Sequence, residues 1–160
     1  MKFNFIKNKK DSANVIAPPP FIYLGGILLG LFLHYIKPLE IFKNSYLIPL
    51  GWILIVISII IFVMAVKSFA RAKTNISPYE PTTSIIMKGP YNFSRNPIYL
   101  SMTIFYFGIM TLLNDLWFLI ILIPLLFIIQ YGVIKREEKY LTKKFGKKYM
   151  DYKKCVNRWL

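Results

Sequence analysis

The chain alternates four long apolar stretches with polar, lysine-rich segments. Residues 21–36, 46–66, 98–113 and 116–134 contain no Asp, Glu, Lys or Arg. A helix rises about 1.5 Å per residue, so about 20 residues cross a hydrocarbon core of about 30 Å. The second and fourth stretches have that length, and the first and third need flanking residues to complete a crossing. The pattern predicts an all-α integral membrane protein with about four transmembrane helices, the whole chain forming one membrane domain. Pro18-Pro19-Pro20 stiffens the entry to the first helix. Asn96-Pro97 reads as the start of the third, with asparagine as cap and proline at the first helical position. Asn114-Asp115 leaves a tight turn before the fourth, where Pro124 predicts a kink and Gln130 is an unusual polar residue. Beyond Ile134, residues 135–160 form a polar tail. There Leu141, Phe145, Tyr149, Tyr152, Val156 and Trp159 recur at three- or four-residue steps with lysines between them. This predicts two short amphipathic helices, broken near Gly146 and lying on the inner leaflet.

Finer features refine this outline. Gly26 and Gly30 form a small-xxx-small pair that permits close helix contact. Lys67 to Arg71 read as a helical extension of the second span. The longest polar loop follows, from Ala72 to Lys88, where Pro78 and Pro81 prevent one continuous helix. Loops of this length are often functional. The first stretch imitates a signal peptide, yet no small-residue cleavage site follows Leu33, so it reads as a retained span.

Composition and charge set the orientation. Hydrophobic residues make up 56% of the chain, with mean hydropathy +0.47, more than a soluble domain of this size carries. Lys and Arg number four in residues 1–20, two between the first and second stretches, five in residues 67–97, none in the third loop and ten after Ile134. The positive-inside rule then puts both termini on the cytosolic side of the cell membrane. The net charge of +14 reads as contact with the anionic inner leaflet rather than with nucleic acid, given the apolar spans. Cys155 is the only cysteine, so no internal disulfide forms. His34 lies near the outer end of the first span with no second ligand at metal spacing, and reads as a packed interfacial residue. No metal site is expected.

Two polar clusters sit at membrane boundaries. One is Gly89-Pro90-Tyr91-Asn92-Phe93-Ser94-Arg95-Asn96-Pro97-Ile98-Tyr99-Leu100, and the other is Arg136-Glu137-Glu138. Each residue has a plain reading: Arg95 as a helix-end anchor, the tyrosines as interfacial aromatics, and the glutamates as counterions for nearby lysines. Consecutive helical positions do not face each other, so one glutamate is expected to point inward and the other toward water or the lysines.

Taken together, these residues resemble the signature of the isoprenylcysteine carboxyl methyltransferase and phospholipid methyltransferase superfamily. Glu137-Glu138, Leu141, Phe145-Gly146, Tyr149, Tyr152 and Val156-Asn157-Arg158-Trp159 are similar to that family's C-terminal half. Thr74-Asn75-Ile76-Ser77-Pro78, with Pro81, resembles the segment before the glycine in bacterial members. The likeness covers about residues 70–160. It implies a membrane methyltransferase with S-adenosylmethionine as donor and a cofactor pocket on the cytosolic side. It also implies cofactor-binding roles for Gly89, Tyr91, Arg95, Asn96, Pro97, Tyr99, Leu100, Glu137 and Glu138, with Arg95, Glu137 and Glu138 as the catalytic set. The acceptor is expected to be a lipophilic small molecule entering from the bilayer, its methylated atom oxygen, sulfur or nitrogen. Prenylcysteine-type enzymes commonly carry Arg-His-Pro where this chain has Arg95-Asn96-Pro97, which weakens a prenylcysteine assignment. Asparagine hydrogen-bonds but does not titrate. The competing readings are a non-catalytic scaffold binding anionic lipid and a membrane reductase. The chain carries no glycine-rich strand-to-helix fingerprint for a nicotinamide.

Overall fold

The computed structural model describes residues 11–42 and 47–160. The basic residues 1–10, and residues 43–46 where the second apolar run begins, lie outside the described residues. Among the described residues six α-helices follow one another: α1 (Pro19–Ile36), α2 (Ile48–Ala72), α3 (Pro97–Leu113), α4 (Leu116–Phe127), α5 (Lys135–Phe145) and α6 (Lys147–Cys155). A 3₁₀ turn at Gly89–Asn92 precedes α3, and a π-helical segment, Ile128–Ile134, joins α4 to α5. Among the described residues there is no strand, only an isolated bridge between Glu40 and Asp115.

α1, α2 and the continuous rod Leu116–Phe145 are long and apolar enough to cross a membrane, while α3 is apolar but has 17 residues. The expected all-α membrane fold is the one observed. α1 and α2 expose Phe21, Leu28, Phe32, Trp52, Ile59 and Ile60. A water-soluble bundle would hide these faces; a lipid-facing one presents them.

Small residues set how the helices meet. α1 packs on α4, where a Cβ on Gly26 would lie 2.5 Å from Leu125 Cδ1 and one on Gly30 2.7 Å from Phe118. The expected close contact is therefore made. α2 packs most extensively on α3. There a Cβ on Gly108 would lie 2.7 Å from Ile55 Cγ1 and 3.1 Å from the Gly51 carbonyl, a second close approach. Tyr23, Tyr106, Phe118, Leu122, Leu125, Ile129 and Val133 fill the core between α1, α3 and α4.

At the turn end of the bundle, Asp115 caps α4 by accepting from Trp117 N at 2.9 Å and pairs with His34 Nδ1 at 2.6 Å. Trp117 Nε1 donates to the Lys37 carbonyl at 2.8 Å. His34 is thus a packed residue, and Asn114 (φ 51) with Asp115 makes the turn.

The opposite, charged end departs further from the pattern. α2 runs on to Ala72 and closes at Lys73 in the left-handed region (φ 48). α4 continues through Pro124, whose missing N–H removes one bond of the helical ladder. The ladder then widens to π pitch, and Lys135 N–H bonds the Gln130 carbonyl five residues back. The tail splits at Gly146 (φ 54) as expected, but its apolar stripe turns onto the protein. Tyr149 and Tyr152 are buried against the turn before α3, where Tyr152 Oη bonds the Tyr91 carbonyl, and near the glutamate end of α5.

Candidate functional site

Four segments converge at the charged end: the loop after α2, the turn before α3, the start of α5 and the tail. Gly89 adopts φ 66, a conformation that side-chain-bearing residues rarely take, and starts the 3₁₀ turn. Tyr91 is buried, and its carbonyl accepts from Tyr152 Oη at 2.7 Å. Three residues further on, the chain is clipped to the tail. Arg95 N donates to the Asn157 carbonyl at 3.0 Å, and Asn96 Nδ2 to the Arg158 carbonyl at 2.9 Å. Ser94 Oγ accepts from Asn96 N at 3.1 Å and donates to the same Arg158 carbonyl at 3.3 Å.

This clip corrects the reading of Asn96 as a side-chain cap. Its side chain makes no cap hydrogen bond, because the amide is taken by Arg158. Only its carbonyl serves the helix, accepting from Leu100 N at 2.9 Å.

The turn, α3, α5 and α6 enclose a cavity lined by Tyr91, Arg95, Asn96, Tyr99, Glu137 and Glu138 from the expected set. Gly89, Pro97 and Leu100 do not line it; they shape the turn and the first turn of α3. Phe69, Tyr149 and Tyr152 add aromatic walls, and residues 75–78 and 84–86 of the loop close another side.

The two glutamates divide their work, and neither simply faces water. Glu138 is buried and binds Arg158 through two bonds of 2.8 Å, Nε to Oε1 and Nη2 to Oε2. Arg95 Nη1 lies 3.1 Å from its Oε1 and Lys153 Nζ 3.8 Å from its Oε2. Burial disfavours its charge, but the Arg158 hydrogen bonds and the charges of Arg95, Arg158 and Lys153 outweigh this and hold its carboxyl below the usual range. Among the described residues, no cation lies within ion-pair distance of Glu137. Tyr99 Oη donates to its Oε1 at 2.6 Å, and it keeps some accessible surface where it lines the cavity. Burial pushes its carboxyl up to about 7, against the Tyr99 hydrogen bond and with help from the Glu138 charge.

Arg95 is the unsatisfied group. Its side chain is 8% exposed. Among the described residues, its Nε and Nη1 have no hydrogen-bond partner, since the Glu138 contact is close but misaligned. A buried guanidinium with free donors is costly unless something accepts from them. Burial raises the Tyr149 phenol to about 12 and the Tyr91 phenol above its ordinary range, so both stay neutral and offer ring faces and hydroxyls. The cavity therefore offers donors for an anion, one carboxyl poised near neutrality, and aromatic walls. Its serines make local contacts: Ser84 Oγ donates to the Ala72 carbonyl and Ser77 Oγ accepts from Tyr79 N, so among the described residues no serine of the cavity is paired with a base as a nucleophile. The arrangement suits binding and orienting reactants rather than covalent catalysis.

Sequence reasoning missed Ser94 and Tyr140 as organisers. Tyr140 Oη accepts from Thr82 N at 3.2 Å and from Lys144 Nζ at 3.0 Å, tying the loop to α5. The serine two residues before Asn96-Pro97 was a legible turn signal, whereas nothing local marks Tyr140.

A search of curated proteins finds no match to the chain. The profile of the phospholipid methyltransferase family matches residues 46–148, from the start of α2 into α6. Together with the membrane-crossing helices and the converged cluster at their charged end, this match places the chain in the phospholipid methyltransferase family, within the isoprenylcysteine and phospholipid methyltransferase superfamily.

Proposed function

We propose that this membrane methyltransferase uses S-adenosylmethionine, held in the cavity at the charged end of the bundle, and methylates a lipophilic small molecule. The observation that carries the reading is Arg95: a buried guanidinium with two donors unpaired among the described residues, on a residue that lines the cavity, in a chain of a methyltransferase family. When bound, S-adenosylmethionine supplies an electrophilic methyl group on a sulfonium. Arg95 Nε and Nη1 would hold its carboxylate. Glu137 would accept from its ammonium or ribose hydroxyls, and the faces of Tyr91 and Tyr149 suit a sulfonium. Glu138 has its capacity filled by Arg158, Arg95 and Lys153, so it is a positioning residue that fixes Arg95.

The chain's own contribution is orientation and exclusion of water, the larger part of what a displacement at carbon needs. An oxygen or sulfur acceptor that arrives ionised needs no base. An amine acceptor needs one, and Glu137, with a carboxyl near 7, could take its proton at Oε2, the oxygen that Tyr99 leaves free. The lysine asymmetry supports a cytosolic placement of the site and of both termini in the cell membrane, against an anionic leaflet.

Isothermal titration with S-adenosylmethionine in detergent and in lipid nanodiscs tests this. The wild type should bind, Arg95→Ala and Glu137→Gln should weaken binding by roughly 30-fold or more, and the surface variant Lys147→Ala should leave it unchanged. A folded wild type that fails to bind in both media overturns the donor assignment. Equal binding by all variants overturns the residue roles.

A further inference from the structure

A second concave surface lies on the other side of α5. Arg136, Lys139, Lys143 and Lys144 line it together with Asp11 and Asn14. It shares Ala13 and Tyr140 with the cavity, so residues 11–14, which wall the basin, reach the cavity through Ala13. That wall and the chain just after it are pinned. Ala13 N donates to the Pro78 carbonyl at 3.1 Å, and Ile16 N to the Gly132 carbonyl at 3.2 Å. Arg136 Nη1 donates to the Asn14 carbonyl at 2.9 Å.

The charge of this basin is unbalanced. Asp11 is its one acid, and Lys144 takes it. Arg136, Lys139 and Lys143 are exposed and have no carboxylate within ion-pair distance among the described residues. Residues 1–10 and 43–46 contain no Asp or Glu that could supply one. The three cations stand at i, i+3 and i+7 on one face of α5, where like charges repel. A solvated lysine face is ordinarily convex. This one is hollowed by the 11–14 wall, and it begins directly after the apolar run that ends at Ile134, where a membrane-crossing rod would meet the headgroup layer.

We propose that the basin binds a phosphate group, that of an anionic phospholipid in the adjoining leaflet. Arg136 suits a phosphate through its forked donors, and Lys139 and Lys143 supply point charges from the same helix face. The ligand's negative charge would relieve the repulsion along α5 and hold the 11–14 wall in place beside the cavity. The proposal does not rest on the S-adenosylmethionine assignment, because its ligand and its residues are different.

Native mass spectrometry and a fluorescent-lipid titration of the full chain in mild detergent test it, with phosphatidylglycerol against phosphatidylcholine as probes. The wild type should retain phosphatidylglycerol preferentially. Arg136→Gln/Lys139→Gln/Lys143→Gln should weaken that binding at least about tenfold. Lys147→Gln/Lys148→Gln/Lys154→Gln, which removes the same charge from α6, should weaken it by less than about threefold. Lys139→Arg/Lys143→Arg keeps the charge and should keep the binding. It also covers the case in which the triple variant does not fold. Inorganic phosphate provides the second arm. Displacement of the lipid at millimolar phosphate assigns a site open to soluble phosphate, and resistance assigns a lipid site; both support the phosphate basin. Equal losses in the α5 and α6 triple variants, no preference for phosphatidylglycerol in the wild type, or loss of binding in the arginine variant would overturn it.

Discussion

Adjacent glutamates on one helix occupy opposite electrostatic situations, and this separates what substitution of each should do. Glu138 holds three cations together. Glu138→Gln leaves Arg95, Arg158 and Lys153 facing one another, and should cost about 3–5 kcal/mol, seen as a lower unfolding midpoint. Glu137→Gln removes a carboxyl that burial already disfavours, so its midpoint should hardly fall at neutral pH. Its effect is on pH dependence. The folded value of about 7 lies above the ordinary 4.5, so the folded state holds a proton that the unfolded chain releases. This contribution is fully present below about pH 4.5 and is lost as pH rises through about 7. Unfolding midpoints between pH 5 and 8 should thus decline in the wild type more steeply than in Glu137→Gln. Donor affinity should rise with pH across the same window, and the Gln variant should flatten it. Arg95, Glu137 and Glu138 were legible as a group from the sequence. Their division was not, because it depends on Arg158, 20 positions away, and on Tyr99, 38 positions away.

At the scale of elements, close helix approach is the feature most open to test. Gly30→Leu should push α1 off α4, because even its Cβ would sit within 2.9 Å of three ring carbons of Phe118. A cost of about 1–3 kcal/mol is expected in a detergent unfolding titration. Gly25→Leu on the same helix meets nothing within 4 Å and should be neutral. The four apolar helices were readable because lipid demands long uncharged runs. The π-helical segment at Ile128–Ile134 was not, since widening by one residue per turn leaves no compositional mark. The fold-back of the tail was hidden for another reason. An amphipathic stripe reads the same whether it meets a leaflet or a neighbouring protein surface, and only the burial of Tyr149 and Tyr152 distinguishes the two.

For the whole molecule, the lysine distribution predicts which end faces the cytosol. With Cys155 replaced, a cysteine at Lys148 should resist an impermeant reagent applied to intact cells, and one at Asn114 should react. The reverse pattern would invert the proposed orientation. The clip between residues 94–96 and 157–158 also has a consequence for biosynthesis. Asn96 and its Arg158 partner are separated by 62 positions. At about 5–20 residues per second, translation needs roughly 3–12 s to cover that distance. The helices can therefore enter the bilayer while Arg95 still waits for the carboxylate and the tail that will enclose it. A nascent chain halted before Asn157 would be membrane-integrated yet have an open, unfinished cavity. Closure of the cavity thus waits on residues 157 and 158, which are translated well after the apolar helices.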